Sequence, residues 1–293
     1  HYTINKMKKF ILKLFLKIFV FFDKILILIF NKSFLRILKD YIDNEYYVEK
    51  KLCSKKTKFF TPNQITNWRV QTIFSKEPET LEWIDEFSNR EKISFWDIGS
   101  NIGLYSIYAA QRHENIKIQS FEPSTNNLRI LSRNISINNL SDKININQIP
   151  LTNKKSFFSE MYDSEFIEGW SMSSYGNKIN FEGKKLNYKQ NYRLLGLSID
   201  FLIKNKIVEY PNYIKIDVDG NEHNILKGAD DCLKSSKLKS ILIEINENYE
   251  EQYKIVTDIM KKYNFSLRHK KRNEILYKNY SKIYNYIFDK YEN

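Results

Sequence analysis

Residues 95–106 run FWDIGSNIGLYS. An apolar run ends in Asp97, turns through Gly99, Ser100, Asn101, Ile102 and Gly103, and enters a helix at Leu104. A strand, a glycine turn and a helix in that order bring backbone N–H groups up to a ligand with no Cβ in the way. The dinucleotide fingerprint needs G-x-G-x-x-G to wrap a pyrophosphate. This string is G-x-N-x-G and does not supply it.

Outward from that string, short β-rich runs alternate with helical stretches. The strand candidates are ISFWDIG, IKIQSFE, KININQI, YIKIDV and SILIEI, with helices expected at 104–112, 125–138, 221–234 and 249–262. Such alternation predicts an α/β domain on a largely parallel sheet. The segment 153–197 breaks the rhythm with Tyr162, Trp170, Tyr175, Tyr188, Tyr192 and Arg193 among Ser, Asn and Lys. It reads as an elaborated loop or small hairpin set beside the substrate site. About 20 residues beyond the glycine turn, Glu122 ends the second run, where a carboxylate accepts the hydroxyls of a ribose. A ribose without a pyrophosphate points to S-adenosylmethionine, with Asp97 and the Gly99–Gly103 turn facing its amino-acid part.

Four strings, FWDIGSNIGLYS, FEPS, YIKIDVDGNEHNILKGA and SILIEIN, resemble in order the FkbM family of S-adenosylmethionine-dependent methyltransferases, from about Phe95 to Asn246. The resemblance implies a class I methyltransferase (Rossmann-like) fold and O-methylation of a sugar or polyketide hydroxyl. It implies a cofactor pocket drawn from Asp97, Gly99, Asn101, Gly103, Tyr105 and Ser106 in the first string and Glu122, Pro123 and Ser124 in the second. It covers neither the first 90 residues nor the acceptor.

In YIKIDVDGNEH, Lys215, Asp217 and Asp219 alternate along a strand that ends at Gly220, and Glu222 and His223 open the next helix. Charges inside a central strand are costly unless paired or used, so these five are the catalytic candidates. A sugar hydroxyl needs a proton acceptor within hydrogen-bond reach, and Asp219 or His223 is the expected base. A structural salt-bridge network is the competing reading for Lys215, Asp217 and Glu222. Glu244 could join Asp217 and Asp219 around a divalent cation, but no metal is predicted. His113 and His269 stand in charged stretches and read as surface residues.

The 293 residues carry a net charge of +12, which as a sum suggests nucleic acid. Its distribution argues otherwise: residues 1–60 hold +9 and the other 233 only +3. The chain also lacks the D/N-P-P-Y/F string of base amino-methylation after the fourth strand. Cys53 and Cys232 are far apart and form no C-x-x-C, which fits a reducing, cytoplasmic setting. Met7 reads as a natural start.

On a helical wheel, Lys9, Lys13, Lys17 and Lys24 fall within an arc of about 80° on the apolar run 10–30, with Asp23 beside them. Charges cost roughly 2.5–3.5 kcal/mol each at the bilayer centre, so an in-plane helix on an anionic membrane surface is expected rather than a span. A self-packed or dimerising helix is the alternative.

The expected organisation is an amphipathic anchor over 1–36, a helical and irregular cap over 37–90, and a methyltransferase domain over 91–293. The expected function is O-methylation of a sugar in a cell-surface glycan or its precursor. It would act at the inner face of the membrane on a carbohydrate or glycolipid acceptor, with nucleic acid not expected as a partner and homo-oligomerisation left open. The competing functions are an RNA or DNA methyltransferase and a non-catalytic membrane-recruited binding module.

Overall fold

The computed structural model describes residues 6–272 and 282–291, with side chains from residue 10 onward. The chain divides into two compact units, 1–47 and 48–293.

The first unit holds helices α1 (Lys6–Phe30) and α2 (Phe34–Glu45). Asn31, in the left-handed region at φ 53°, ends the first helix. Ser33 caps the second by accepting from Arg36 N–H at 3.1 Å. The carboxylate of Asp23, on α1, accepts from the Ser33 hydroxyl at 2.8 Å and Leu35 N–H at 3.1 Å. Asp23 is therefore a buried structural clasp rather than part of the exposed charged stripe. Lys13, Lys17 and Lys24 are exposed, and the Lys9 side chain lies outside the described residues. Among the described residues no helix is long and apolar enough to cross a membrane.

Beyond Glu45, where α2 ends, a hairpin follows: β1 (Tyr47–Leu52) and β2 (Lys55–Phe60). Cys53 and Ser54 both take positive φ, 47° and 70°, the turn geometry whose twist suits a two-residue hairpin. Three short helices come next, α3 (Gln64–Gln71), α4 (Ile73–Lys76) and α5 (Pro78–Asp85).

The α/β core then runs β3 (Ile93–Ile98), α6 (Leu104–Arg112), β4 (Ile116–Phe121), α7 (Thr125–Ile137) and β5 (Ile144–Asn147). The insertion forms strands β6 (Ser156–Asp163), β7 (Ser173–Tyr175) and β8 (Gln190–Leu197). These pair antiparallel as a separate sheet, β7-β6-β8, so the expected loop is an ordered platform. After it come α8 (Ile199–Lys204), β9 (Tyr213–Ile216), α9 (Glu222–Lys227), α10 (Asp230–Lys234), β10 (Ser240–Asn246), α11 (Glu250–Lys262), β11 (Phe265–Lys271) and β12 (Ile283–Lys290). The expected helix 221–234 is thus two helices, broken near Gly228, where an added Cβ would lie 2.3 Å from the Thr152 carbonyl oxygen.

The main sheet is ordered β11-β12-β10-β9-β3-β4-β5. All five predicted strands are there and pair in parallel, and an antiparallel pair that the sequence reading did not include closes the β10 edge. This is the expected α/β, class I methyltransferase architecture. Trp96, Ile98, Phe121, Ile214, Ile216, Ile241 and Ile243 pack under α8–α11 as one face of the core. On the other face Trp83 and Phe87 of the α5 region meet Phe95 and Tyr213, with Phe87 stacked on Tyr213 at 3.8 Å. The chain leaves β3 on one side toward β4 and returns to its other side as β9. That reversal opens a crevice at the carboxyl ends of β3 and β9, where ligands bind in open α/β sheets.

Candidate active site

A cavity of about 380 Å³ fills that crevice. Its sheet side is Gly99, Asn101, Glu122, Pro123, Asp217, Val218, Asp219 and Glu244; Trp68, Arg69, Lys76, Trp170, Met172 and Phe181 line it as well.

The glycine turn is built for close approach. Gly99 has φ 83°, and a Cβ there would lie 1.8 Å from the Asp217 carbonyl oxygen, so no other residue fits without moving β9. Asn101 has φ 51°; its N–H donates to Glu122 Oε2 at 2.7 Å and its side-chain amide donates to the Trp170 carbonyl at 3.1 Å. Asn127 donates to that same carbonyl at 3.1 Å, tying the insertion to the turn. Glu122 also accepts from Ser124 N–H at 2.9 Å, and burial pushes its carboxyl up to about 8.

Other members of the predicted pocket do not line the cavity. Asp97 is fully buried and accepts from Ser106 N–H at 3.1 Å and the Ser106 hydroxyl at 2.6 Å; burial raises its pKa. The pair fixes the start of α6 against β3. Gly103, at φ 86°, caps that helix, and Tyr105 donates to Glu77 at 2.8 Å. Ser124 is buried beside Glu122. These five hold the turn in place.

Of the five catalytic candidates, Asp217 and Asp219 reach the cavity. Lys215 is buried behind them and donates to Asp217 Oδ2 at 2.8 Å. Burial alone would depress its pKa, but Asp217, Glu77 and Asp97 outweigh it and raise it, so the lysine stays charged. Glu222 accepts from Val218 N–H and Gly220 N–H at 3.1 Å, and from Gln252, so it holds the turn that carries Asp219. His223 does not line the cavity. Its ring is buried, packs edge-on against Tyr249 at 5.8 Å, and burial lowers its pKa. An imidazole base at 223 therefore does not fit the geometry, because the helix turns that side chain toward α11. His113 corrects another expectation: it is buried, bonded to the Ile84 carbonyl and Asn89. His269 is half-buried.

Asp219 sits in the left-handed region at φ 56° and accepts from Met172 N–H at 2.7 Å. Burial and then the Asp217 charge push its carboxyl up to about 6. That places a carboxylate near neutrality inside the cavity, a suitable proton acceptor.

The sequence reading missed Glu77. Fully buried, it pairs with Lys76 and accepts from Tyr105. Burial opposes its charge, but Lys76 and Lys215 win and hold it near 2. Glu77, Asp217 and Glu244 bring carboxylate oxygens within 4.8 Å of one another, so Glu77 replaces Asp219 in the expected acidic trio. The two lysines already neutralise two of these acids. Glu244 is left as the surplus carboxyl, raised by burial and by its acidic neighbours.

The chemistry of the donors fits S-adenosylmethionine. Glu122 carries lone pairs beyond those its two N–H donors use, enough to accept ribose hydroxyls. Asn101 Oδ1 is a buried acceptor with no partner among the described residues, of the kind an ammonium satisfies. Gly99 lines the cavity beside both.

The hexuronic acid methyltransferase AglP of Haloferax volcanii is 25% identical over 179 residues, 61% of this chain and 66% of its own length. Methyltransferase sdnD of Sordaria araneosa is 23% identical over 154 residues, 46% of this chain and 60% of its own. The chain spans less than two thirds of either relative. Among solved structures, Aeropyrum pernix fibrillarin with natively bound S-adenosyl-L-methionine superposes with a TM-score of 0.44 at 9% identity, covering 84% of this chain and 83% of that one. Residues 97–267, more than half of the chain, match the model of the methyltransferase FkbM domain, and the protein belongs to that family.

Proposed function

We propose that this protein is an S-adenosylmethionine-dependent O-methyltransferase that acts on a sugar hydroxyl of a cell-surface glycan or its precursor. The observation that carries this reading is the meeting, in one cavity, of the Gly99–Glu122 cofactor wall, the Asp219 carboxylate and two tryptophans. When bound, S-adenosylmethionine supplies an electrophilic methyl group on a sulfonium. Trp68 and Trp170 line the cavity and would supply aromatic surface to a sugar ring, and Trp170 is fixed by its indole N–H to Ser164 at 2.9 Å. Asp219, inside the cavity, would take the proton of the acceptor hydroxyl as that oxygen is methylated. Glu222 positions the Asp219 turn, and the Lys215–Asp217 pair fixes the strand end beside it. Alignment of acceptor and donor supplies much of the acceleration.

The anchor belongs to the same reading. Phe10, Phe15, Phe19, Phe22 and Phe30 of α1 are all more than half exposed. With Lys13, Lys17 and Lys24 also exposed, the helix suits the interface of an anionic membrane at the cytoplasmic face.

The test is transfer of labelled methyl groups from S-adenosylmethionine to envelope glycan extracts, after titration with S-adenosylhomocysteine. Label in a base-stable ether on a sugar supports the reading. Label in added RNA or DNA instead overturns it, and failure to bind S-adenosylhomocysteine removes the methyltransferase altogether.

A further inference from the structure

One wall of the cavity carries a charge that methyl transfer to a neutral sugar does not use. Arg69 lies on α3 and lines the cavity with Trp68. Its Nε donates to the Gly169 carbonyl of the insertion. Asn63 caps α3 and donates from the same side chain to the Glu168 carbonyl at 3.0 Å and to its carboxylate at 3.1 Å. Gly169 N–H in turn donates to Asn127 at 2.8 Å. The arginine is thus clamped between two elements and is not a freely swinging surface side chain.

Its terminal nitrogens have no carboxylate partner among the described residues, whereas the other cations at the site do: Lys76 pairs with Glu77, and Lys215 with Asp217. A half-buried guanidinium held at Nε presents its outer fork to whatever enters, and that fork matches the two oxygens of a carboxylate or phosphate. Lys76 lines the same cavity with its side chain only 20% exposed, and an ammonium keeps further donors after Glu77 has taken one. Asp217 carries Lys215 and Glu77 carries Lys76, while Arg69 and Lys76 both act on Asp219 and oppose the rise that burial gives its carboxyl, so an entering oxyanion meets the guanidinium beside that acid.

We propose that the acceptor sugar bears an oxyanion, a carboxylate or a phosphate, which Arg69 grips with help from Lys76 while the hydroxyl to be methylated faces Asp219. This rests on the reading of the protein as a glycan O-methyltransferase and narrows it to acidic sugars.

The test is a ligand-observed NMR titration of the full chain loaded with S-adenosylhomocysteine, using methyl glucoside, methyl glucuronide and glucose 6-phosphate. An acidic probe should bind about tenfold or more tightly than the neutral one, and Arg69→Gln should remove that advantage. Arg69→Lys should restore part of it, and S-adenosylhomocysteine affinity should stay within about twofold in both variants. Preference for the glucuronide assigns a carboxylate; preference for the phosphate ester assigns a phosphate. Equal affinity for the three probes, or an acidic preference that survives Arg69→Gln, overturns the proposal. So does a parallel loss of S-adenosylhomocysteine affinity, which would put the guanidinium on the cofactor. The broader methyltransferase reading is judged separately, by wild-type S-adenosylhomocysteine binding and label transfer.

Discussion

At Gly99 the backbone leaves no freedom of choice. The residue needs φ 83°, and a Cβ would stand 1.8 Å from the Asp217 carbonyl oxygen, well inside any contact distance. Gly99→Ala must therefore push β3 and β9 apart at the point where the cofactor enters. We expect S-adenosylhomocysteine binding to fall at least about a hundredfold in calorimetry while far-UV circular dichroism stays native, since only the strand tips must move. Asp219 supports a second prediction. As a base it works ionised, and its pKa is raised to about 6 by burial and Asp217. The kcat/KM for methyl transfer should rise with pH below about 6, roughly tenfold per unit, and level off above it. Asp219→Asn should lower turnover by about a hundredfold or more, abolish that acidic limb, and leave cofactor affinity near wild type. An unchanged pH profile in the variant would remove Asp219 as the base.

At the scale of elements, the acid–lysine network joins α4 and the residue after it to β9. Glu77 is held near 2 against an ordinary 4.5 because Lys76 and Lys215 outweigh its burial. A carboxylate with a lowered folded-state pKa stabilises the protein above about 4.5, and that stabilisation is lost as pH falls toward 2. Glu77→Gln takes away the direct partner of Lys76 and part of the charge facing Lys215, which keeps Asp217, and should cost roughly 3–5 kcal/mol in urea melts at pH 7. The gap from wild type should narrow below pH 4. The same network shows what the sequence could and could not display. FWDIGSNIGLYS and FEPS were legible because a glycine turn and a strand-end acid are local, and all five parallel strands followed from their apolar runs. Glu77 was not, because it meets the Tyr105 hydroxyl and the field of the Lys215 charge only through the tertiary fold. Arg69 was equally hidden: α3 is two turns long with no apolar periodicity, and its partner Gly169 is 100 residues away. Trp170 was legible only as one aromatic of the insertion expected beside the site. His223 read as catalytic from its place after the acids, but the handedness of α9 turns it away from them toward Tyr249.

For the whole molecule, the charge asymmetry sets the last expectation. The first 60 residues hold +9 of the +12, and α1 and α2 form a compact unit separate from the α/β domain. Burying such broadly exposed phenylalanine and leucine surface in a lipid interface is favourable by roughly 25 cal/mol per Å², and each lysine near an anionic surface adds about 1 kcal/mol. Asp23 is occupied in clasping α2, where it accepts from the Ser33 hydroxyl and Leu35 N–H. The full chain should float with phosphatidylglycerol-containing vesicles and much less with pure phosphatidylcholine, and the difference should shrink as salt rises. A triple variant, Lys13→Glu, Lys17→Glu and Lys24→Glu, should lose flotation with the anionic vesicles and keep S-adenosylhomocysteine affinity unchanged, because the cofactor wall lies wholly in the second unit. Flotation that survives the charge reversal would mean that the apolar surface alone binds, and equal recovery on neutral and anionic vesicles would remove the lysine stripe from the anchor.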